Sequence, residues 1–291
     1  MNVLSLFDGI SCGMVALERA GIKVDNYYAS EIDKWAIEIS KNNYPEIIQI
    51  GDILKIKNKD LFLLPKIDMV IGGSPCQDIS NLSKNQEGLS GKKSGLFFEY
   101  LRILRWIKKN NNKDVLFLLE NVVGKRESRD EISKLLKVEP IKINSALVSG
   151  QSRNRLYWTN IFGVEQPKDR KIILKDILEK NISENITEGR KKWFYSPNGQ
   201  RCIQKHLCTL DGIKAQCLTV RSELGWNSNY ISINEGIRKL TEIEYERLQT
   251  LPDNYTNHVP SMKRYMSIGN SWTVDVIVHI FSYLPEEYKL R

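Results

Sequence analysis

Ile67-Asp68-Met69-Val70-Ile71-Gly72-Gly73-Ser74-Pro75-Cys76-Gln77 passes from an apolar run into a turn that ends on a thiol. The run Ile67 to Ile71 has the length and character of a buried strand. Gly72 and Gly73 end that strand and let the backbone turn tightly. Pro75 then fixes one backbone angle directly before the cysteine. Cys76 is therefore expected on a stiff loop at the carboxyl end of a strand, where open α/β sheets bind their ligands. A single cysteine reads more simply as a small buried side chain in a loop. The units on either side turn the reading toward chemistry.

Upstream, Val3 to Phe7 reads as a strand and Asp8-Gly9-Ile10-Ser11-Cys12-Gly13 as a glycine-bearing turn. Met14, Val15, Leu17 and Ala20 recur at helical spacing, and Gly21 ends the helix. A strand, glycine turn and helix is how nucleotide-like ligands are held, because glycines admit close approach and a helix N-terminus offers amides. The pattern is not GxGxxG, so a dinucleotide pyrophosphate is not indicated. Tyr27 to Ser30 reads as a second strand ending in Glu31, roughly 20 residues past the glycine turn, where a carboxylate grips a ribose diol. Asp33-Lys34-Trp35-Ala36-Ile37 opens a helix. Ile47 to Ile50 reads as a third strand closed by Gly51-Asp52-Ile53. Asp52 is placed to accept from an exocyclic amine, and Ile53 to cover an aromatic base. Each carboxylate alone reads as a helix cap or a solvated turn. Three successive strand-to-helix turns bearing such groups point to a nucleoside.

Downstream, Ser80 to Gly95 is polar, glycine-dotted and basic, and too long for a mere connector. It reads as a lid that closes over a polyanion. Leu96-Phe97-Phe98 starts an amphipathic helix through Trp106. Val115 to Leu119 is an apolar strand running into Glu120-Asn121-Val122. Burial favours the protonated form of such an acid, which can then donate a hydrogen bond or a proton. The simpler role is a cap for the next helix. Ile141 to Val148 and Arg155 to Trp158 read as further strands, with Gln151-Ser152-Arg153-Asn154-Arg155 between them. Arginines at i and i+2 share one face of an extended segment and can hold a phosphate or a base carbonyl; such pairs are also common on surfaces.

From about Phe162 the alternating rhythm stops. Basic clusters (Lys168-Asp169-Arg170-Lys171, Arg190-Lys191-Lys192, Lys205-His206) interleave with Trp193, Phe194, Tyr195, Trp226 and Tyr230. This reads as a smaller, loop-rich lobe suited to nucleic acid, the plainer readings being a lid or an oligomerisation lobe. Leu240 to Gln249 is expected to be a helix with a Thr241/Glu244 capping box, ended by Leu251-Pro252. Arg264 to Trp272 leads through a glycine-polar turn into an apolar helix, Val274 to Leu284.

The 291 residues are 41% hydrophobic and 27% charged, with a net charge of +8. The isoelectric point is near 9.1. Basicity permits a polyanionic partner. The five cysteines form no CxxC pair, which argues for reduced thiols and against a disulfide framework or a zinc site. The three histidines offer no ligand spacing, so no metal is expected. No apolar run reaches the roughly 18 residues that span a bilayer, and the N-terminus reads as a first strand rather than a signal peptide. A cytoplasmic protein is expected, free of any membrane.

Together these motifs resemble the cytosine-5 DNA methyltransferases, in family order and over nearly the whole chain except Phe162 to Arg238. Phe7-Asp8-Gly9 with Gly13 resembles their S-adenosylmethionine loop, Glu31 the ribose-binding acid and Asp52-Ile53 the adenine contacts. Pro75-Cys76-Gln77 is similar to their nucleophile motif, Glu120-Asn121-Val122 to the acid motif and Gln151 to Arg155 to the arginine motif. Leu240 to Pro252 resembles the segment that organises the recognition domain, and Gly269-Asn270-Ser271-Trp272 the final cofactor motif. Ser271-Trp272 and Phe97-Phe98-Glu99 look most like the branch with the eukaryotic de novo enzymes and their bacterial relatives. Gly73-Ser74 departs from the commoner lead-in to the nucleophile.

The resemblance implies an α/β fold: a Rossmann-like methyltransferase sheet, from residues 1–162 and 262–291, with a target-recognition domain over 163–261. It implies catalysis by Cys76, Glu120, Arg153 and Arg155. Phe7, Asp8, Gly9, Ile10, Gly13, Glu31, Ile32, Asp52, Ile53, Pro75, Leu96, Asn270, Ser271 and Trp272 would bind S-adenosylmethionine and its product S-adenosylhomocysteine, without metal. Gln77, Ser80, Asn81, Arg153 and Arg221 would contact double-stranded DNA. In the implied reaction Cys76 adds to C6 of a flipped-out cytosine. Glu120 engages N3 and the exocyclic amine, Arg153 the pyrimidine O2 with Arg155 in support, and C5 takes the methyl group. A monomer of bacterial or phage type, nucleoid-associated and of the restriction-modification kind, is the expected setting. Two other readings share the motifs: a transfer-RNA methyltransferase of the same superfamily, whose Cys-Phe-Thr is replaced here by Cys217-Leu218-Thr219, and a silent DNA-binding regulator, which would have lost the cysteine, the acid or the cofactor residues.

Overall fold

The computed structural model describes residues 1–74, 95–180, 182, 186–205, 207–222, 228–233 and 236–290. Pro75, Cys76, Gln77, Ser80 and Asn81, the lid expected over 80–95 up to Ser94, and His206 and Trp226 lie outside the described residues. The chain forms two compact units, Met1–Ile143 with Asn154–Gln166 and Val276–Arg291, and Asn144–Arg153 with Pro167–Asp275. Residues 144–153 and 262–275, expected with the cofactor domain, cluster with the second unit.

In the first unit the strands are β1 (Asn2–Leu6), β2 (Asn26–Ser30), β3 (Ile48–Gln49), β4 (Met69–Gly73), β5 (Leu116–Val122) and β6 (Ile141–Asn144). After a two-residue strand β7 (Gln151–Ser152) comes β8 (Asn154–Thr159). They build a seven-stranded sheet in the order β3-β2-β1-β4-β5-β8-β6. The pairs β1–β2, β2–β3, β1–β4 and β4–β5 are parallel, whereas β8 runs antiparallel to β5. Helices α1 (Cys12–Arg19), α2 (Lys34–Asn43), α3 (Asn58–Phe62), α4 (Leu96–Asn110) and α5 (Arg126–Leu136) alternate with the strands. The central strands are apolar on both faces, as a covered parallel sheet requires. Strand order reverses between β1 and β4, which opens a crevice at their carboxyl ends.

Leu4, Leu6, Val70, Phe97, Tyr100, Leu104, Ile107, Phe117, Leu119 and Trp158 share one buried cluster. Each such side chain contributes roughly 1.5–3 kcal/mol through loss of contact with water. Gly72 is part of this packing. A Cβ there would stand 2.6 Å from the Leu6 carbonyl oxygen and 3.2 Å from the Tyr100 ring. The Tyr100 hydroxyl, from α4, donates across the space to the carbonyls of Val70 at 3.4 Å and Leu118 at 3.2 Å.

The second unit is more regular than its composition suggested. It holds helices α6 (Glu188–Tyr195) and α7 (Pro197–Gln204), strands β9 (Thr209–Leu210), β10 (Ala215–Gln216), β11 (Asn229–Ile233) and β12 (Gly236–Lys239), then α8 (Glu242–Leu248) and α9 (Ser261–Asn270). A three-stranded sheet runs β12-β11-β9, and β7 pairs with β10. The aromatics expected on loops are partly core: Phe194 stacks edge-on against Tyr230, with centroids 4.9 Å apart, and both are buried. The Thr241/Glu244 capping box forms at the start of α8. Glu244 also takes two 2.7 Å hydrogen bonds from Arg238. Gly269 and Asn270 close α9 rather than forming a free turn. The apolar helix α10 (Val274–Phe281) follows.

Candidate active site

At the carboxyl end of β1 the chain turns by left-handed residues: Phe7, Gly9 and Ser11 have φ values of 59°, 62° and 59°. Nothing lies within 4 Å of a Cβ built on Gly9, so backbone conformation rather than crowding calls for glycine there. The Gly9 amide donates to Glu31 Oε2 at 2.8 Å, while Glu31 Oε1 accepts from the amides of Ile32 at 2.7 Å and Asp33 at 2.9 Å. The acid after β2 thus fixes the glycine turn after β1, a link the sequence did not reveal. Asp33 caps α2. Asp52 caps the short turn after β3, accepting from the Leu54 amide at 3.0 Å.

The expected cofactor residues divide into two groups. Phe7, Gly9, Glu31, Ile32 and Asp52 all belong to the turns after β1, β2 and β3, and none is buried; Ile32 is 74% exposed. Leu96 is half-buried at the start of α4. Asp8, Ile10 and Ile53 are buried, as is the backbone at Gly13. Asp8 accepts from Ser11 Oγ at 2.5 Å and from the Tyr27 hydroxyl at 2.7 Å. Burial pushes its pKa up to about 6, against the pull of hydrogen bonds from Ser11, Ser5 and Tyr27. A Cβ on Gly13 would lie 2.4 Å from Ile71 Cδ1 and 2.7 Å from the Tyr27 hydroxyl. That glycine serves helix packing. The exposed residues suit an adenosine-bearing ligand: Glu31 has three of its roughly four acceptor positions filled, which leaves capacity for a hydroxyl, and Ile32 offers an apolar face. Among the described residues no group of three or more His, Cys, Asp or Glu could hold a metal ion.

The second part of the site lies at the ends of β4 and β5. Gly73 is the register partner of Glu120. Ser74, the last described residue before the cysteine loop, accepts at Oγ from Asn121 Nδ2 at 3.0 Å. Glu120 Oε1 lies 2.9 Å from Arg155 Nε, with side chains 11% and 14% exposed. The register explains this pair. Glu120 faces Tyr157 across the antiparallel ladder, so Arg155, two residues before Tyr157, is its diagonal neighbour on the same face. Arg155 is thus the cation that accompanies Glu120 into the interior.

The two arginines of the 151–155 segment do not share a face. The extended run breaks at Arg153, between β7 and β8. Arg153 is 5% exposed. Its guanidinium donates to the carbonyls of Leu218 at 2.6 Å, Ser271 at 3.0 Å and Gly269 at 3.4 Å. Ser271 is buried, with its hydroxyl donated to the Ile268 carbonyl at 2.8 Å, Trp272 is half-buried and Asn270 exposed. Arg221 is exposed on a turn in which Ser222 Oγ accepts from the Thr219 amide at 2.8 Å. Sequence reasoning missed Tyr27 and Gln249; a buried polar residue at the end of an amphipathic helix was the only signal for the latter. Two surface clefts, of about 290 and 330 Å³, open beside α5 and between α4 and α5. Their linings share no residue with these strand ends.

A parallel sheet extended by an antiparallel strand, a glycine loop after β1 and an acid after β2 define a Rossmann-like methyltransferase fold. The same architecture recurs in the methyltransferase EhMeth of Entamoeba histolytica, with a TM-score of 0.78, coverage of 97% of both chains and 19% identity. The chain belongs to the C-5 cytosine-specific DNA methylase family, which residues 1–174 and 141–286 match. It is similar to the type II methyltransferase M1.ScrFI of Lactococcus lactis subsp. cremoris, 28% identical over 305 residues that cover 95% of this chain and 76% of that protein. It is also similar to the type II methyltransferase M.BsuFI of Bacillus subtilis, 28% identical over 316 residues covering 100% of this chain and 74% of the other. Its activity is methylation of DNA cytosine at C5, with S-adenosylmethionine as the methyl donor of the family. Among the described residues no helix is long and apolar enough to cross a membrane.

Proposed function

We propose that the protein methylates C5 of cytosine within a specific duplex sequence, on a base flipped out of the helix and held covalently by Cys76. One observation carries this reading: the Glu120–Arg155 pair stands in register with Gly73, three residues before Cys76. A carboxylate and a guanidinium then stand beside the end of β4, the strand from which the chain runs on toward Cys76.

In this reading the Cys76 thiolate adds to C6, and the C5–C6 π electrons move to C5. Glu120 meets the exocyclic amine and shares a proton with N3, which offsets the charge developing on the ring. Arg155 fixes the Glu120 carboxylate by a charge-assisted bond and rules out its free rotation. Bound S-adenosylmethionine supplies the electrophilic methyl group. Loss of the C5 proton and departure of the Cys76 sulfur restore the aromatic ring. Phe7, Gly9, Glu31, Ile32 and Asp52 would hold the cofactor. Buried Asp8, Ile10, Gly13 and Ile53 shape that loop from beneath.

Arg153, whose guanidinium donates to the Leu218 and Ser271 carbonyls, is proposed to act as a positioning residue. The second unit is the proposed recognition domain, with Arg221 on the DNA together with Gln77, Ser80 and Asn81. A place in a restriction-modification system is supported by the type II relatives; a cytoplasmic monomer is part of the same proposal. Incubation with methyl-labelled S-adenosylmethionine and either duplex DNA or RNA tests the reading. Label recovered as 5-methylcytosine in DNA alone is expected. Label in RNA would favour the transfer-RNA reading, and none in either the silent regulator.

A further inference from the structure

Apart from the strand ends of the active site, the first unit carries an apolar cleft in which every charged lining residue is a cation. Three elements build it. On α4, Leu101, Leu104, Arg105 and Lys108 stand at i, i+3, i+4 and i+7 and form one stripe of the helix. Val115 and Phe117, at the start of β5, share one face of the strand. Leu135 and Leu136 end α5, and Lys137 follows in the left-handed conformation with φ 60°. Between them lies a volume of about 330 Å³.

The floor is core: Leu101, Leu104, Val115, Phe117 and Leu136 are buried in it. The mouth is charged. Arg105, Lys108 and Lys137 are exposed there. Arg105 Nη2 donates to the Leu135 carbonyl at 3.4 Å. Among the described residues Lys108 and Lys137 form no ion pair, and no acidic side chain lines the cleft. Lys137 also borders the smaller cleft that holds Asp130 and Glu139, which leaves Arg105 and Lys108 as the cations that belong to this one alone. Cations gathered without a counter-charge repel one another, and an anion set among them relieves that repulsion. The apolar floor favours a hydrocarbon body.

Size selects among such anions. The volume is at the low end for small-molecule sites. An apolar cavity of about 150 Å³ holds benzene, so this cleft has room for a chain of roughly eight to ten carbons. A folded protein partner buries roughly 1,200 Å² or more, which a cleft of this volume does not offer. We propose that the α4–α5 cleft is a binding site for an amphipathic monocarboxylate. Its hydrocarbon chain would lie on Leu104, Phe117 and Leu135, with the carboxylate between Arg105 and Lys108, which are neighbours one helical turn apart. The proposal stands independently of methyl transfer.

The experiment titrates octanoate into the full chain by calorimetry, with octanol and acetate in parallel. Octanoate should bind once per chain with a Kd of about 1 mM or below. It should bind at least about tenfold tighter than octanol, which lacks the charge, or acetate, which lacks the chain. Hydrogen exchange should slow at 104–108 and 135–137. The double variant Arg105→Glu with Lys108→Glu, on the exposed side of α4, should weaken octanoate by about tenfold or more and leave octanol unchanged. Leu135→Trp fills the cleft and should abolish binding of both; the charge reversal stands in should that variant not fold. Absence of saturable heat, equal affinity for octanoate and octanol, an octanoate Kd unmoved by the charge reversal, or protection confined to other segments overturns the proposal. Displacement of octanoate by a short duplex also overturns it and gives these cations to nucleic acid. A dimer in sedimentation that Leu135→Trp converts to monomer overturns it in favour of a second copy of the chain.

Discussion

Arg155 approaches Glu120 through Nε, on the diagonal of the β5–β8 ladder, and so compensates a carboxylate that β5 carries into the interior. Removing one member of a buried pair strands the other, at a cost of about 3–5 kcal/mol. Arg155→Met should therefore lower unfolding stability by about 3 kcal/mol in urea. Single-turnover methylation should fall by about 100-fold or more, the scale expected for loss of a positioned electrostatic partner. Arg155→Lys keeps a cation without the planar geometry and should fall between. Unchanged turnover in Arg155→Met would remove Arg155 from the reaction.

Asp8 predicts a pH dependence of stability. Its folded pKa, raised to about 6 by burial, exceeds the ordinary value of 3.8. The folded state therefore holds the proton more tightly. The stability this confers is fully present below about pH 4 and is lost as pH rises toward about 6. The loss is on the order of 3 kcal/mol. Asp8→Asn keeps partners for Tyr27 and Ser11 without the charge. Its Tm relative to wild type should rise steadily between pH 4 and 6 and level off above. A constant offset across that range would show that Asp8 does not titrate there.

Gly72→Ala tests the packing of the switch point. The added methyl would meet the Leu6 carbonyl and the Tyr100 ring, and overpacking of this kind costs about 1–3 kcal/mol. The strand that delivers the cysteine loop would shift with it. Both Tm and turnover should drop, whereas Gly9→Ala, with open space around it but a positive φ, should cost about 1 kcal/mol, the scale of left-handed strain.

Arg238→Met should unfold the second unit selectively. Arg238 and Glu244 have side chains 5% and 0% exposed, and Glu244 also caps α8 through the Thr241 amide. Loss of about 3 kcal/mol or more is expected. Hydrogen exchange should rise at 229–248 while β1, β4 and β5 stay protected. Uniform loss of protection across both units would contradict this.

The parallel core of the fold was legible because buried strands announce themselves: Val3 to Phe7, Ile67 to Ile71 and Val115 to Leu119 each mark a central strand to within a few residues. The weaker elements were not. Ile141 to Val148 reads as one strand but stops at Asn144, where the Asn144 side chain accepts from the Ala146 amide and turns the chain. Periodicity cannot register such local competition from an asparagine. The acid after β2 was visible from its spacing, yet its bond to Gly9 was not, because the partner is a backbone amide. Arg153 and Arg155 looked equivalent at i and i+2. A one-residue break between β7 and β8 gives them different partners, and only coordinates reveal that break. The lobe from 167 onward kept its own order hidden in short strands and in the polar contacts of Gln249 and Glu244, residues whose burial no hydrophobic pattern foretells.

The most direct test traps the enzyme on its substrate. A duplex bearing 5-fluorocytosine at the target base, incubated with S-adenosylmethionine, cannot release the thiol once methylated, because fluorine does not leave C5 as a proton would. The wild type should form an adduct stable to denaturing electrophoresis, mapped to Cys76 by mass spectrometry, with Cys76→Ser forming none and Glu120→Gln forming it at least about 100-fold more slowly. An undiminished adduct in Cys76→Ser, or one mapped to another residue, would contradict the assignment on which the mechanism stands.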